Sequence, residues 1–339
     1  MKKLLKFLSA IGLVGLLAVV YIYFGVFEKH IETGDKQSVL FFIKSSDGFE
    51  DVVSNLDSLG IASESEFGWL AELRHLSGKN IYPGRYTLKS TMTYSDLVIY
   101  LRSGQIDEIT ITFNNVRTLD QLAKKVSRQI EASENSILNE LQESEKYGYD
   151  KATFLAVFIP NTYKMYWNTS GEQFVKRMVS EHKRFWNQLR LAKAKKMNLT
   201  PVEVSTLASI VQSEQNLHQD EWPIIAGLYF NRLQKGIKLQ SDPTVVYAWG
   251  DFTLKRIYYK HLKIDSKYNT YKYTGLPPGP IRVPASGVLD AVLGYEKHKY
   301  IFMCANPEFS GKHAFAVTNF EHEKNARKYR AFLKKNNIH

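Results

Sequence analysis

Ala208–Leu233 reads ASIVQSEQNLHQDEWPIIAGLYFNRL, and the helix it belongs to starts eight residues earlier at Thr200-Pro201-Val202-Glu203. Thr200 can cap, Pro201 suits the first helical position, and Glu203 stands where a capping box needs an acid. From there Val204, Leu207, Ala208 and Val211 recur in steps of three and four, with Ile210 at the edge. That spacing predicts a helix burying one face. The same stripe, continued, runs into Glu214 and Gln215, while Gln212 and Ser213 are expected to point elsewhere. A carboxylate therefore stands on the face predicted to be buried.

Periodicity leaves two readings of Glu214 open. Either the helix ends there and the side chain reaches solvent or pairs with an arginine such as Arg232, or the carboxyl is held in a cleft. In a cleft, desolvation favours the neutral acid, which is the form a proton donor needs. Beyond it, His218, Asp220 and Glu221 lack the spacing of a HExxH metal site and are expected in a solvated loop or helix start. No GxSxG elbow or glycine-rich phosphate loop occurs, and no metal or cofactor is expected.

Working outward, residues 38–108 predict a small α+β module in the order strand, helix, helix, strand, helix. SVLFFIKSS and YPGRYTLKSTM supply the strands. TYSDLVIYLRSGQ is a helix with Thr93 or Ser95 as cap and Gly104 as stop. From residue 109 to 339 a second region follows. It opens on EITITFNN, which alternates like a strand, and continues with helices interrupted by the aromatic-rich VFIPNTYKMYWNTS. It is mostly helical over 200–236 and becomes turn-rich beyond 240, where Asp242-Pro243 reads as a turn and GLPPGP as a stiff loop. IFMCA and KHAFAV predict short strands before a terminal helix.

Residues 7–27 carry no charge and follow Lys2, Lys3 and Lys6. An apolar run of that length predicts a single transmembrane helix, and the lysines in segment 1–6 favour a cytoplasmic N-terminus. The run ends in YIYFGVF, aromatic where a signal peptidase would want small residues, so an uncleaved anchor is expected, followed by a polar linker over 28–37. The bulk of the chain would then lie outside the cytoplasm, which removes nucleic acid from the expected partners. A net charge of +11 still suits an anionic partner such as cell wall or a membrane surface. Hydrophobic residues at 44 % and charged residues at 23 % indicate globular regions. The single cysteine, Cys304, excludes an internal disulfide.

LASIVQSEQ, GLYFNRLQKGIKLQSDPTVVYAWG, YNTYKYTGLPPGPI and HAFAVTNFEH, in that order, resemble the endolytic murein transglycosylases of the YceG-like (MltG) family. Upstream, VFIPNTY and YPGRYTLKSTMTYSDLVIYLRSGQ fit the same pattern. The resemblance implies an α+β chain with one transmembrane helix, a LysM-like module and a lytic transglycosylase domain whose catalytic Glu lies on a helix. It implies cleavage of the MurNAc-β-1,4-GlcNAc bond within nascent glycan strands, leaving 1,6-anhydro-MurNAc ends, at the plasma (inner) membrane. The family's catalytic acid is the last of its ASIVExE motif, and that position is Glu214. This sequence departs at Gln212, where Glu is usual, and at Asn161, where many members carry Asp.

The other motif residues are expected to line the cleft. Asn231, Gln240, Asp242 and Thr244 would bond sugar hydroxyls and acetamido groups; Tyr247, Tyr268 and Tyr271 would stack on sugar faces; His313 and Thr318 would close the site. Each has an alternative as a brace or turn residue. Two rival functions remain at this point: a non-catalytic, membrane-anchored scaffold that binds glycan and recruits cell-wall synthases, and a true hydrolase leaving reducing ends.

Overall fold

In the computed structural model α1 (Lys2–Ile22) runs into a single π turn over Tyr23–Phe27. The apolar segment Leu4–Phe27 has a mean hydropathy of 2.4. Its 24 residues span about 36 Å at the helical rise, enough to cross a hydrocarbon core of about 30 Å. Side chains from Leu4 to Phe24 are exposed, so this helix contributes almost no core. The structure describes residues 2–254, 256–306, 308 and 310–336. Met1, Lys255, Pro307, Phe309 and residues 337–339, which fall in the assigned segments 1–6 and 109–339, lie outside the described residues, as do the side chains of Lys2 and Lys3.

Next come β1 (Ser38–Ile43), α2 (Phe49–Ser58), α3 (Glu64–Leu73), β2 (Gly84–Lys89), α4 (Tyr94–Ser103) and β3 (Glu108–Thr112). Up to α4 this is the predicted order. β1 and β2 pair antiparallel from Ser38↔Lys89 to Ile43↔Gly84. Alternation puts Phe41, Ile43, Tyr86 and Leu88 on the buried face, where they meet Val52 and Leu56 of α2, Leu70 of α3 and Leu97 of α4. Thr93 caps α4 in a box with Asp96, and Gly104 ends it at φ 69°.

Downstream lie α5 (Leu119–Val126), α6 (Glu134–Gln142), β4 (Thr162–Tyr166), α7 (Gly171–Phe185), α8 (Gln188–Lys196), α9 (Pro201–Glu214) and α10 (Trp222–Gln234). They are followed by α11 (Asp242–Trp249), α12 (Tyr259–Leu262), α13 (Ser286–Leu293), the antiparallel hairpin β5 (Phe302–Ala305) and β6 (His313–Ala316), and α14 (Asn319–Lys335). β3 pairs with β4. The chain resolves into two compact units: the first runs to Ile111 and includes Gln129–Ala132 and Tyr163–Thr169; the second holds the rest.

α9 is the centre of the second unit, in contact with α8, α10, α11 and α13. Its start is as predicted: the Thr200 hydroxyl accepts from the Glu203 N–H and Glu203 accepts from the Thr200 N–H at 2.7 Å. Its burial differs from the prediction. Val204 through Gln212 are all buried, on every side of the helix. The polar members are satisfied internally, because Ser205, Thr206 and Ser209 donate to the carbonyls of Pro201, Val202 and Thr206. Hydroxyls that bond their own helix can be buried, and a count of apolar positions does not see them.

Two further corrections concern the region read as turns. Asp242-Pro243 begins α11, with the proline in the first turn where its missing N–H costs nothing. The stretch after GLPPGPIRVP forms α13, whose Val288, Leu289 and Val292 pack on α9 and α10.

Candidate active site

Glu214 is the last residue of α9, half-buried at the base of a cleft of about 490 Å³. Two hydroxyls converge on it. Tyr229 of α10 donates to Oε1 at 2.7 Å, and Ser241, just before α11, donates to the same oxygen. Among the described residues nothing donates to Oε2, so that oxygen is the one left for a ligand, and a proton on the neutral acid belongs there. Desolvation raises the Glu214 pKa, and the two hydroxyl donors work against it. The opposition fits a group that must hold a proton and also exist as its conjugate base.

Removing one donor should leave desolvation less opposed. Tyr229→Phe or Ser241→Ala should therefore move the Glu214 pKa further up, so that the carboxyl stays neutral to higher pH. A ¹³C NMR titration of the Glu214 carboxyl checks this, and a downward shift contradicts it.

Arg232 is not a partner of Glu214. Its Nε donates to the Ile301 carbonyl at 2.6 Å and its Nη1 to the carbonyls of Lys238 and Leu239 at 3.0 and 2.8 Å. It staples α10 to the approach of β5 and to the chain before Ser241. Burial lowers its pKa.

Among the sequence candidates, Gln240, Asp242, Tyr271 and His313 line the same cleft as Glu214. Tyr271 donates to Asp242 Oδ1 at 2.6 Å, and burial followed by that bond raises the phenol's pKa. Gln240 stands at φ 53° with its amide oxygen facing Arg232 Nη1 at 3.3 Å. The others lie elsewhere. Asn231 Nδ2 donates to the carbonyls of His298 and Tyr300. Thr244 is fully buried against Ser241 and Thr270. Tyr247 and Tyr268 pack on each other, centroids 4.7 Å apart. Thr318 caps α14.

Three residues at the site were not foreseen: Tyr229, Ser241 and Glu221. Glu221 stands at the start of α10, as one of the two readings had it, but at 4 % exposure it is buried and not solvated. Its Oε1 accepts the His313 backbone N–H and its Oε2 meets His313 Nδ1, both at 2.9 Å; Gln215 Nε2 donates to Oε2 at 2.8 Å. The carboxylate fixes one ring nitrogen of His313, leaving Nε2 as its free one. A trace of Tyr229 was legible, since a tyrosine on the packed face of a helix needs an acceptor for its hydroxyl. Gln212 takes a structural place: its Oε1 accepts from the Ala285 N–H at 2.9 Å. A carboxylate oxygen would accept the same bond, so Gln for Glu is tolerated there.

Fold and site together define a mixed α+β protein with a helical carboxyl caged by hydroxyls in a polar cleft. The sequence profile of the YceG-like family matches residues 41–328, and the chain belongs to that family. It is 28 % identical to an endolytic murein transglycosylase of Bacillus subtilis (strain 168), over 88 % of this chain and 87 % of that protein. It is 24 % identical to an endolytic murein transglycosylase of Streptococcus pneumoniae (strain R6), over 87 % of this chain but 59 % of the longer pneumococcal protein. A crystal structure of a yceG-like protein from Listeria monocytogenes superposes with a TM-score of 0.58 at 27 % identity, covering 86 % of this chain and 99 % of the other.

Proposed function

We propose that this chain is an endolytic lytic transglycosylase that cuts the MurNAc-β-1,4-GlcNAc bond inside peptidoglycan strands and leaves 1,6-anhydro-MurNAc ends. The reading is carried by Glu214: a desolvated carboxyl whose Oε1 is occupied by Tyr229 and Ser241 and whose Oε2 is free, in a cleft of a YceG-like chain.

In this scheme Oε2 of neutral Glu214 gives its proton to the glycosidic oxygen as the C1–O bond breaks. Positive charge grows at C1 and the neighbouring N-acetyl oxygen of MurNAc stabilises it. The leaving GlcNAc departs with a neutral 4-hydroxyl. Glu214, now ionised and held by two hydroxyls, takes the proton from the C6 hydroxyl as that oxygen attacks C1. The nucleophile is already attached to the sugar, so no water needs positioning and one carboxyl serves both steps. Gln240, Asp242 with Tyr271, and His313 with Glu221 are the cleft groups placed to hold sugar hydroxyls and acetamido groups.

The remaining assignments are part of the proposal. The helix over 7–27 anchors the chain once in the plasma membrane, with Lys2, Lys3 and Lys6 on the cytoplasmic side. Residues 38–108, with two antiparallel strands and the helices between them, act as a LysM-like glycan-binding module. Residues 109–339 act as the catalytic domain beyond the membrane. Incubating the purified protein with uncrosslinked strands and resolving the muropeptides tests the reading. Anhydro ends are expected; reducing ends would make it a hydrolase, and intact strands a binding scaffold.

A further inference from the structure

A second cleft, of about 660 Å³, shares Asp242 with the first. Its character is cationic: Arg117, Arg256 and Arg282 line it together with Asn115. Arg282 is only 7 % exposed. Its Nη2 donates to Asn115 Oδ1 at 3.1 Å, but its Nε is shut away from solvent with no hydrogen-bond partner. Burial, then the like charge of Arg117, pushes the Arg282 pKa down. Among the described residues neither Arg117 nor Arg282 forms an ion pair. Asp242, the acid on the rim, already accepts the Tyr271 hydroxyl.

A buried guanidinium without a counter-charge is costly, yet this one is held in place. The Ile281 N–H donates to Ser209 Oγ at 3.0 Å and the Val283 N–H to the Val116 carbonyl at 2.8 Å, so both chain neighbours of Arg282 are pinned. Arg117 is set over the Phe252 ring, 4.9 Å from its centroid. Two fixed guanidinium groups of one sign, neither with an ion-pair partner among the described residues, form a receptor for an oxyanion.

We propose that this cleft binds a carboxylate of the peptide stem carried by the glycan strand, so that the protein grips peptide on one side of Asp242 and sugar on the other. The inference rests on the strand-cleaving reading above. A strand offers two kinds of oxyanion: stem carboxylates, repeated at every MurNAc, and a diphosphate at a lipid-linked end. Only the stems recur along the strand, so only they stand beside the cleft wherever an internal bond is cut.

The test uses the full chain in detergent, carrying Glu214→Gln so that strands are bound and not cut. Affinity is measured by fluorescence polarisation for labelled strand fragments in three forms: with stems, stripped of stems with each exposed lactyl carboxyl capped as a neutral amide, and the same capped form ending in a diphosphate. Stem-bearing fragments should bind about tenfold more tightly than stripped ones, the worth of one charge-assisted fork. Arg117→Gln, at a half-buried position, should bring that preference to within about twofold, and Arg282→Lys, which keeps the charge but loses the fork, should weaken it. Equal affinity for stem-bearing and stripped fragments overturns the proposal. So does a preference that survives both substitutions, or one shown only for the diphosphate form. Stem preference without anhydro products from the parent chain would retain this site and sink the transglycosylase reading; anhydro products without stem preference would do the reverse.

Discussion

Glu214→Gln should lower the release of 1,6-anhydro ends by about 10³-fold or more, while the folded protein at pH 7 becomes no less stable. The rate loss follows from the proposed role: a positioned general acid is worth roughly 10²–10⁴-fold, and in the proposed scheme the same group also serves as the base of the second step. The stability result follows from linkage. Desolvation raises the folded-state pKa of Glu214 above its unfolded value. The contribution of such a group is fully present below the unfolded pKa and is lost as pH rises through the folded one. At neutral pH the wild-type chain therefore carries a penalty that glutamine does not, since the amide cannot ionise and its oxygen still accepts from Tyr229 and Ser241. Thermal denaturation of the two forms across pH should show the glutamine variant equal or higher near neutrality, with its advantage shrinking toward the ordinary carboxylate range. Retained anhydro release in this variant would remove Glu214 from the chemistry, and a clear drop in Tm at pH 7 would mean that the carboxylate acts as a structural ion.

The same residue shows how far the sequence can be read. Steps of three and four placed Glu214 on a packed stretch of α9 and the Thr200 box fixed where that helix begins. Both are local patterns, set within one or two turns. What surrounds the carboxyl is not local: Tyr229 arrives from 15 positions away and Ser241 from 27. Glu221 reads as a solvated acid because its partner, His313, comes 92 positions later. α11 and α13 are hidden for another reason. Proline and glycine are turn signals when seen singly, yet Pro243 opens a helix, and Pro278, Pro280 and Pro284 belong to a loop whose value lies in what it touches. The buried serines and threonines of α9 mislead in the same way, as their hydroxyls are satisfied by the carbonyls of their own helix. Charge is legible as a sum and not as a place. The sequence shows a basic chain, while the fold gathers Arg117 and Arg282, 165 positions apart in number, beside Asp242.

That loop supplies the largest stability effect expected. Gly279→Ala should cost the second unit about 3 kcal/mol, at the upper end of overpacking effects, and lower its Tm by roughly 6–12 °C. A Cβ built on Gly279 would lie 1.9 Å from the carbonyl oxygen of Ala152 and 2.7 Å from its carbon. Both are backbone atoms, so no rotamer change relieves the clash and the loop itself must move. It cannot move freely. Ile281 is bonded to Ser209 and Ala285 to Gln212, both on the helix that carries Glu214, and Val283 is bonded to Val116. Displacing Gly279 therefore strains three hydrogen bonds, shifts Arg282 between two of them, and pulls on α9 within two turns of the caged carboxyl. Gly275→Ala is the matched control. Gly275 sits at φ +83° with no atom within 4 Å of a built Cβ, so its variant should pay only the strain of the left-handed backbone, about 1 kcal/mol. Thermal unfolding of both variants separates steric from conformational cost. If Gly279→Ala lowers Tm no more than Gly275→Ala, the close approach to Ala152 is not what holds the loop on α9.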